Sequence, residues 1–327
     1  MKNNGIKIGI YFKEYRISNV LAMIKNGRKQ PLICPDECQG KLVVITGATS
    51  GIGYAAARKF ASKGADLICV NRNKEQSLAL KQELEHEFGI TCEYILADFS
   101  DLDQTHQAAH QLLQMGRSID ILIHNAGIYL TSRQTTAGGI EKVFMVNYLS
   151  SFIMNYILKD RLISEGKARI LLVNSEGHRF AAWGLRFDDL DWSKRHYTGL
   201  KSYGSAKLAQ LLAMNQFQEY FQDSGVTINA MHPGAVKTSA GQDNGRLYQW
   251  FKRNLLDKKL DSVSIAAQAI YYLGVSQDIE SVSGQFFNLT TWEEPAPPAL
   301  DESSAKILWQ KSLEMGGLNE SYTATIL

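Results

Sequence analysis

The stretch Val43-Val44-Ile45-Thr46-Gly47-Ala48-Thr49-Ser50-Gly51-Ile52-Gly53 runs from an apolar segment into a glycine-rich turn, and a segment of helical character follows it. A strand that ends in such a turn lets a pyrophosphate approach the backbone N–H groups at the N-terminus of the next helix. The stretch therefore predicts a dinucleotide site. Its candidate residues are Gly47, Ser50, Gly51, Ile52 and Gly53.

A second motif lies far downstream, in Ser202-Tyr203-Gly204-Ser205-Ala206-Lys207. Positions i and i+4 of a helix lie on one face, so the ammonium of Lys207 comes near the phenol of Tyr203. A nearby positive charge favours the ionised form of a phenol. The spacing therefore predicts an acid/base tyrosine with a lysine that lowers its pKa.

Both motifs, in this order, resemble the short-chain dehydrogenase/reductase family, and the likeness covers residues 40–290. The spacing Thr46-Gly47-x-x-x-Gly51-x-Gly53 has a longer glycine gap than the commoner G-x-G-x-x-G, which is the family's own form of the turn. The motif pattern is most similar to retinol dehydrogenases and related carbonyl reductases.

The chain alternates strand and helix patterns, which is typical of a parallel sheet covered on both faces. We expect an α/β fold: a single doubly wound Rossmann-type domain of about seven parallel strands flanked by helices. The predicted strands are residues 42–46, 66–71, 91–97, 119–124, 169–174, 226–231 and 284–288. The predicted helices are residues 54–63, 74–88, 102–115, 139–163, 203–223 and 262–273.

Length and composition agree with one catalytic domain, because 327 residues with 45% hydrophobic content can bury a large core. We predict a basic N-terminal extension (1–40), a catalytic domain (41–290) with a substrate-covering segment (239–260), and a C-terminal tail (291–327). The net charge of +2 gives no reason to expect a nucleic-acid partner. The four cysteines indicate neither a disulfide scaffold nor a metal site.

Residues 1–30 are predominantly basic, with apolar residues interleaved. Retinol dehydrogenases often carry a membrane anchor here, but no run of about 20 apolar residues is present, and no signal peptide is visible. Two interpretations stay open: contact with a membrane surface, or a helix packed on the domain or a poorly ordered extension. We favour the second, and expect a cytoplasmic protein with or without peripheral membrane contact.

The second predicted strand ends at Arg72, where a dinucleotide enzyme reads the adenosine ribose. Arginine suits a 2′-phosphate, whereas an acidic residue would suit a free 2′-hydroxyl, so Arg72 predicts NADP(H). The alternative is a solvated arginine. The resemblance implies that Asp98 holds the adenine amino group, and the alternative is a capping aspartate.

His124-Asn125-Ala126-Gly127 is similar to the family's Asn-Asn-Ala-Gly, with histidine in the first position. The resemblance implies that Asn125, Ala126 and Gly127 form a turn over the adenosine ribose. We assign His124 no role in catalysis.

The resemblance supplies two further catalytic candidates, Asn147 and Ser175. In the family, an asparagine at the first position bonds a water that links the catalytic lysine to solvent; the alternative is an ordinary asparagine facing solvent. Ser175 follows Asn174 where family members show two serines, the second of them catalytic.

The turn His232-Pro233-Gly234 and the residues after it resemble the segment that meets the nicotinamide carboxamide. Pro233, Gly234 and Thr238 are the candidates. Aromatic residues of the 180–200 insertion either wall a lipophilic pocket or pack the insertion.

The resemblance implies a mechanism: Ser175 holds the substrate oxygen, Tyr203 exchanges a proton with it, and a hydride passes between substrate and nicotinamide. We expect an NADP(H)-dependent oxidoreductase that interconverts a lipophilic alcohol and its aldehyde or ketone, running as a reductase in cells. The alternatives are reduction of a carbon–carbon double bond and a non-enzymatic NADP(H)-binding protein. A homodimer through the two long helices, 139–163 and 203–223, is a further expectation.

Overall fold

The strands of the protein form one sheet in a computed structural model that describes residues 11–16, 19, 25–26, 29–234 and 263–319. The strands are β1 (Leu42–Thr46), β2 (Asp66–Asn71), β3 (Cys92–Leu96), β4 (Ile121–His124), β5 (Arg169–Val173), β6 (Thr227–His232), β7 (Phe286–Asn288) and β8 (Thr291–Trp292). Their order is β3-β2-β1-β4-β5-β6-β7-β8.

The predicted doubly wound α/β sheet is confirmed. The seven predicted strands are present and parallel, and β8 pairs with β7 in the antiparallel direction. The sequence did not predict β8, because two residues are too few to show an alternating pattern. Every residue of β1 and β4 is buried, as expected for central strands covered on both faces.

Helices cover both faces of this sheet. They are α1 (Gly51–Ala61), α2 (Lys74–Phe88), α3 (Leu102–Leu113), α4 (Lys142–Phe144), α5 (Ser150–Glu165), α6 (Gly199–Tyr220), α7 (Val263–Val275) and α8 (Glu302–Met315). One core contains α1 and α7, whose rings Phe60 and Tyr271 lie 5.0 Å apart. The second core, on the other face, contains α3, α5, α6 and α8.

The region predicted as one helix over 139–163 is divided in the structure. A π-helical turn, Met145–Leu149, joins α4 to α5. A π-helical turn accommodates one extra residue, and the sequence did not predict it because the same apolar residues suit either helix type. The helix predicted over 203–223 begins earlier, at Gly199, where Thr198 accepts the N–H of Lys201 as its cap.

The described residues after β7 pack on the domain, although the sequence had set 291–327 apart as a tail. The Trp309 ring of α8 lies 5.0 Å from the Phe152 ring and 4.8 Å from the Phe217 ring. The hydroxyls of Tyr148 and Ser312 lie 2.5 Å apart. Helix α8 thus covers apolar surface of α5 and α6, the helices for which a homodimer was predicted; the homodimer stays a prediction.

Described residues of the N-terminal extension also contact the domain. Tyr11 donates to Asp301 Oδ2 at 2.5 Å, and Asn26 Nδ2 donates to Glu293 Oε2 at 3.0 Å. Among the residues described, no helix has the length and apolar character needed to cross a membrane. Contact of residues 1–30 with a membrane surface stays a prediction.

Candidate active site

A cleft of about 570 Å³ lies at the carboxyl ends of the parallel strands. The chain winds from β1 outward to β2 and β3 and then returns to add β4 on the other side, which places a crevice between the ends of β1 and β4. After each of the first six strands, one predicted site residue lines this cleft. These residues are Gly47, Arg72, Asp98, Asn125, Ser175 and Pro233.

The glycine-rich turn after β1 requires glycine at three points. Gly47 has φ +69° and Gly51 has φ +58°, both in the left-handed region. A Cβ on Gly53 would lie 2.1 Å from the carbonyl oxygen of Gly47, so only glycine allows α1 to begin this close to the strand. The first N–H groups of a helix have no acceptor within it. With Ser50, Gly51 and Ile52 lining the cleft, the turn fits a pyrophosphate.

Polar side chains at the ends of three strands, β1, β2 and β4, hold this turn in place. The Thr46 hydroxyl accepts the N–H groups of Asn125 at 2.9 Å and Ala126 at 3.0 Å. Asn125 Nδ2 donates to the carbonyl oxygens of Thr46 and Gly47, both at 3.0 Å. The side chain of Asn71, at the end of β2, accepts the N–H of Ala48 at 2.7 Å. Sequence reasoning did not select Thr46 or Asn71, although both stand at strand ends beside selected residues.

Arg72 and Asp98 line the cleft after β2 and β3, which lie on the other side of β1 from β4 and β5. Asp98 Oδ1 accepts both the N–H and the hydroxyl of Ser100 at 2.8 Å, so it also stabilises its own turn. Lys142, at the start of α4, lines the cleft as well and was not predicted. The predicted contacts of Arg72 and Asp98 with a cofactor stay predictions.

Ser175 lies two residues after the last residue of β5 and is the N-cap of a short 3-10 helix, Glu176–Ala181. Its hydroxyl oxygen accepts the N–H of Gly177 at 3.0 Å, and its own N–H donates to Asn174 Oδ1 at 2.7 Å. These bonds fix the hydroxyl oxygen, while the hydroxyl proton remains available as a donor.

Tyr203 lies within the second turn of α6, half-buried beside Ser175. Burial raises the pKa of its phenol, and a hydrogen bond with the Ser175 side chain opposes this shift. A Cβ on Gly177 would lie 2.7 Å from Cε1 of Tyr203, and one on Gly204 would lie 2.7 Å from the carbonyl oxygen of Gly177. Both glycines therefore allow the turn formed by residues 175–178, which we call the serine turn, to contact Tyr203. Neither glycine was predicted as a site residue.

Lys207 lies on the same helix face as Tyr203, as predicted. Its Nζ is 5.9 Å from the centre of the Tyr203 ring and donates to the carbonyl oxygen of Val173 at 2.7 Å. Burial lowers the pKa of this amine to about 7. Without a cofactor, burial is therefore the largest influence on the pKa of Tyr203 and on that of Lys207. The lowering of the Tyr203 pKa by Lys207 and a cofactor stays a prediction.

Asn147 lies in the π-helical turn and does not line the cleft. Its Oδ1 accepts the N–H of Ile128 at 2.7 Å, and its Nδ2 donates to the carbonyl oxygen of Ile128 at 2.9 Å. The side chain therefore fixes the loop after β4 that passes the active site. π-helical turns occur often at functional sites, and the water-binding role of Asn147 stays a prediction.

Two buried histidines near the site act as neutral hydrogen-bonding groups. Burial lowers the pKa of His124 to about 4, and its Nε2 lies 2.7 Å from Asn155 Oδ1. Burial lowers the pKa of His178 to about 3; its Nδ1 lies 2.8 Å from the carbonyl oxygen of Ser175, and its Nε2 accepts the N–H of Ala296. Neither side chain lines the cleft.

The remaining predicted site residues follow β6. Pro233 and Gly234 line the cleft, and Gly234 has φ +80°, which fits the turn predicted there. Thr238 and the substrate-covering segment 239–260 lie outside the described residues.

Comparisons with known proteins identify the family. A model of the short chain dehydrogenase family matches residues 41–184. The chain is 33% identical over 294 residues to retinol dehydrogenase 13 of Homo sapiens, covering 87% of this chain and 88% of the relative. It is 34% identical over 307 residues to retinol dehydrogenase 14 of Homo sapiens, with 87% and 88% covered.

The fold is also similar to solved structures. A short chain dehydrogenase from Burkholderia cenocepacia, solved in complex with NADP, aligns with a TM-score of 0.61 at 22% identity, covering 80% of this chain and 99% of that chain. The protein belongs to the short-chain dehydrogenase/reductase family of oxidoreductases. Within that family it is of the retinol dehydrogenase type.

The buried Lys207 predicts a pH-dependent stability. Its pKa is about 7 in the folded protein against 10.5 for a free lysine, so above pH 7 the unfolded chain holds a proton that the folded protein has released. Stability then rises with pH, by up to about 1.4 kcal/mol per unit. Between pH 7 and 9, the cofactor-free protein should gain about 2 kcal/mol relative to Lys207→Met.

Urea unfolding of the cofactor-free protein at several pH values measures this difference. Lys201→Met is the control, because Lys201 lies exposed on the same helix. A stability difference between wild type and Lys207→Met that stays constant over the range would show that Lys207 is protonated throughout.

Proposed function

We propose that the protein is an NADP(H)-dependent oxidoreductase that interconverts a lipophilic alcohol and its aldehyde or ketone, acting in cells as a reductase. The observation that carries the proposal is that Ser175 and Tyr203 lie side by side in the same cleft as the glycine-rich turn. One end of the cleft fits a dinucleotide phosphate, and the other offers two hydroxyls to a carbonyl oxygen.

The residues present fit a nicotinamide dinucleotide. Backbone N–H groups of the glycine-rich turn suit its pyrophosphate, and Arg72 suits a 2′-phosphate. The further contacts in this proposal are Asp98 with adenine, residues 125–127 with the adenosine ribose, Lys207 with the nicotinamide ribose, and Pro233, Gly234 and Thr238 with the carboxamide. Tyr203 also contacts the cofactor in this proposal. When bound, the cofactor supplies or accepts the hydride. The NADP in the similar Burkholderia cenocepacia structure supports this cofactor.

In this proposal, Ser175 and Tyr203 bind and protonate the substrate oxygen. Because the oxygen of Ser175 already accepts the N–H of Gly177, its hydroxyl can donate a hydrogen bond to a carbonyl oxygen and keeps its proton. Tyr203 transfers to that oxygen the single proton that the reduction requires. Burial raises the pKa of Tyr203, so the phenol is protonated at neutral pH, and a protonated phenol suits proton donation during carbonyl reduction.

A lipophilic substrate is supported by two relatives rather than by the insertion that follows Ser175, because no residue of 180–200 lines the cleft. Leu190 and Trp192 are buried and pack the insertion, whereas Phe180 and Trp183 are 54% and 57% exposed. Phe180 contacts the catalytic helix near Gly204. Both of the human relatives are named retinol dehydrogenases, which agrees with a long apolar alcohol or aldehyde.

Product analysis tests the proposed reaction. With NADPH, the purified protein should reduce all-trans-retinal and other apolar aldehydes and ketones to the alcohols, faster than small polar carbonyls. An alcohol and a saturated aldehyde from the same substrate have the same mass, so chromatography against standards identifies the product. A saturated aldehyde would assign the alternative reaction, and NADPH binding without turnover of any carbonyl would reject the enzymatic proposal.

The cofactor preference can be tested at Arg72. Hydrogen bonds to charged groups contribute about 1.5–3 kcal/mol, so Arg72→Asp should weaken NADPH binding by that order and leave NADH binding unchanged or stronger. Titration of nucleotide fluorescence gives both affinities. Lys306→Asp makes the same charge change on the exposed side of α8 and should affect neither. Equal affinity of the unmodified protein for NADPH and NADH would contradict the assignment.

A further inference from the structure

A buried group of charges lies behind the serine turn and outside the cleft. We call it the Glu293 cluster: Glu293, Arg179 and Glu176, with the amides of Asn26 and Asn288. Glu293 is 2% exposed. Its Oε1 accepts Arg179 Nη2 at 2.8 Å, and its Oε2 accepts Asn26 Nδ2 at 3.0 Å and Asn288 Nδ2 at 3.2 Å.

Arg179 connects this carboxylate to the residues around Ser175. Its Nε donates to Glu176 Oε2 at 2.5 Å, and its Nη2 also donates to the carbonyl oxygen of Glu294 at 3.0 Å. A guanidinium is a rigid planar donor. These bonds therefore fix Glu176, the residue after Ser175, relative to residues 293–294, which follow β8. Isolated buried charges are costly, and here the two carboxylates share one cation, Arg179. Burial, with a contribution from Glu293, raises the pKa of Glu176 to about 7.

The turn that Arg179 fixes is the one that holds the catalytic hydroxyl. Gly177 donates its N–H to Ser175 Oγ at 3.0 Å. His178 adds a second connection to the same segment, because its ring bonds the carbonyl oxygen of Ser175 on one side and the N–H of Ala296 on the other. Displacement of the 293–296 segment would therefore move the N–H that fixes the serine oxygen.

We propose that Glu293 is a positioning residue for Ser175: through Arg179 it fixes the turn that holds the serine hydroxyl against the substrate oxygen. The inference rests on the proposed function for its catalytic consequence, but not for its structural one. Because Asn26 also donates to Glu293, the N-terminal extension contributes to the same arrangement.

Glu293→Gln tests the proposal with little change in shape. A glutamine presents one oxygen and one NH₂, so either Arg179 or the pair Asn26 and Asn288 loses its acceptor. Small misplacements of catalytic groups can cost up to about 100-fold in rate, and kcat with NADPH and all-trans-retinal should fall about 10- to 100-fold. The affinity for NADPH should not change, because none of these residues lines the cleft.

Glu165→Gln is the matched control. Glu165 pairs with Arg161 at 2.8 Å, its side chain is 13% exposed, and it accepts the N–H of Ile119. This substitution removes a similar buried charge from α5 without touching the serine turn. It should lower the melting temperature and leave kcat unchanged.

A triple variant, Glu176→Met and Arg179→Met with Glu293→Leu, separates positioning from stability, because Arg179 pairs with both carboxylates. Replacing all members of a buried ion triad by apolar residues is often neutral or stabilising, so the melting temperature should recover relative to Glu293→Gln. Under the proposal kcat stays low, because the turn has lost its connection. Recovery of both melting temperature and kcat would overturn the proposal and leave the cluster a purely structural role.

Amide hydrogen exchange gives a readout that needs no enzyme activity. In Glu293→Gln, the amides of Gly177 and His178 should exchange faster than in the wild type, whereas those of β5 should not. If the wild type reduces no carbonyl, the proposed function fails while this exchange result still decides the role of Glu293. Unchanged exchange at the turn, with unchanged kcat where the wild type is active, would overturn the proposal.

Discussion

The buried hydroxyl of Thr46 joins the ends of β1 and β4, and the rest of the site depends on that connection. It accepts the N–H groups of Asn125 and Ala126, and Asn125 in turn bonds the carbonyl oxygens of the glycine-rich turn. Neighbouring parallel strands separate at this point of a doubly wound sheet. The hydrogen bonds therefore fix the glycine-rich turn relative to the turn after β4, at the edge of the crevice.

Desolvation is the second constraint on the chemistry. It raises the pKa of Tyr203 and lowers that of Lys207 to about 7, so both groups favour their neutral forms in the protein alone. A protonated phenol beside the Ser175 hydroxyl is a proton donor for a carbonyl oxygen. The same burial that costs folding free energy at Lys207 thus prepares the site for reduction, and the Glu293 cluster holds the serine turn against the tyrosine.

Much of this arrangement could be predicted from the sequence, because short motifs determine it. The glycine spacing after β1 permits few other backbone conformations. The four-residue separation of Tyr203 and Lys207 places both side chains on one helix face. The π-helical turn at Asn147 could not be predicted, since it uses the same residue types as an α-helix. The Glu293 cluster joins residues 114 and 267 positions apart, and one sequence carries no local pattern for such contacts. Helix α8 was missed because its apolar residues follow a short, irregular segment.

Substitution of the tyrosine oxygen tests the central claim most directly. Tyr203→Phe keeps the ring and its packing against Gly177, so folding and NADPH affinity should be unchanged. Turnover of a carbonyl that the wild type reduces should fall by about 100-fold or more, the usual contribution of a general acid. Retention of more than about a tenth of the wild-type rate, which is less than a general acid contributes, would contradict the account.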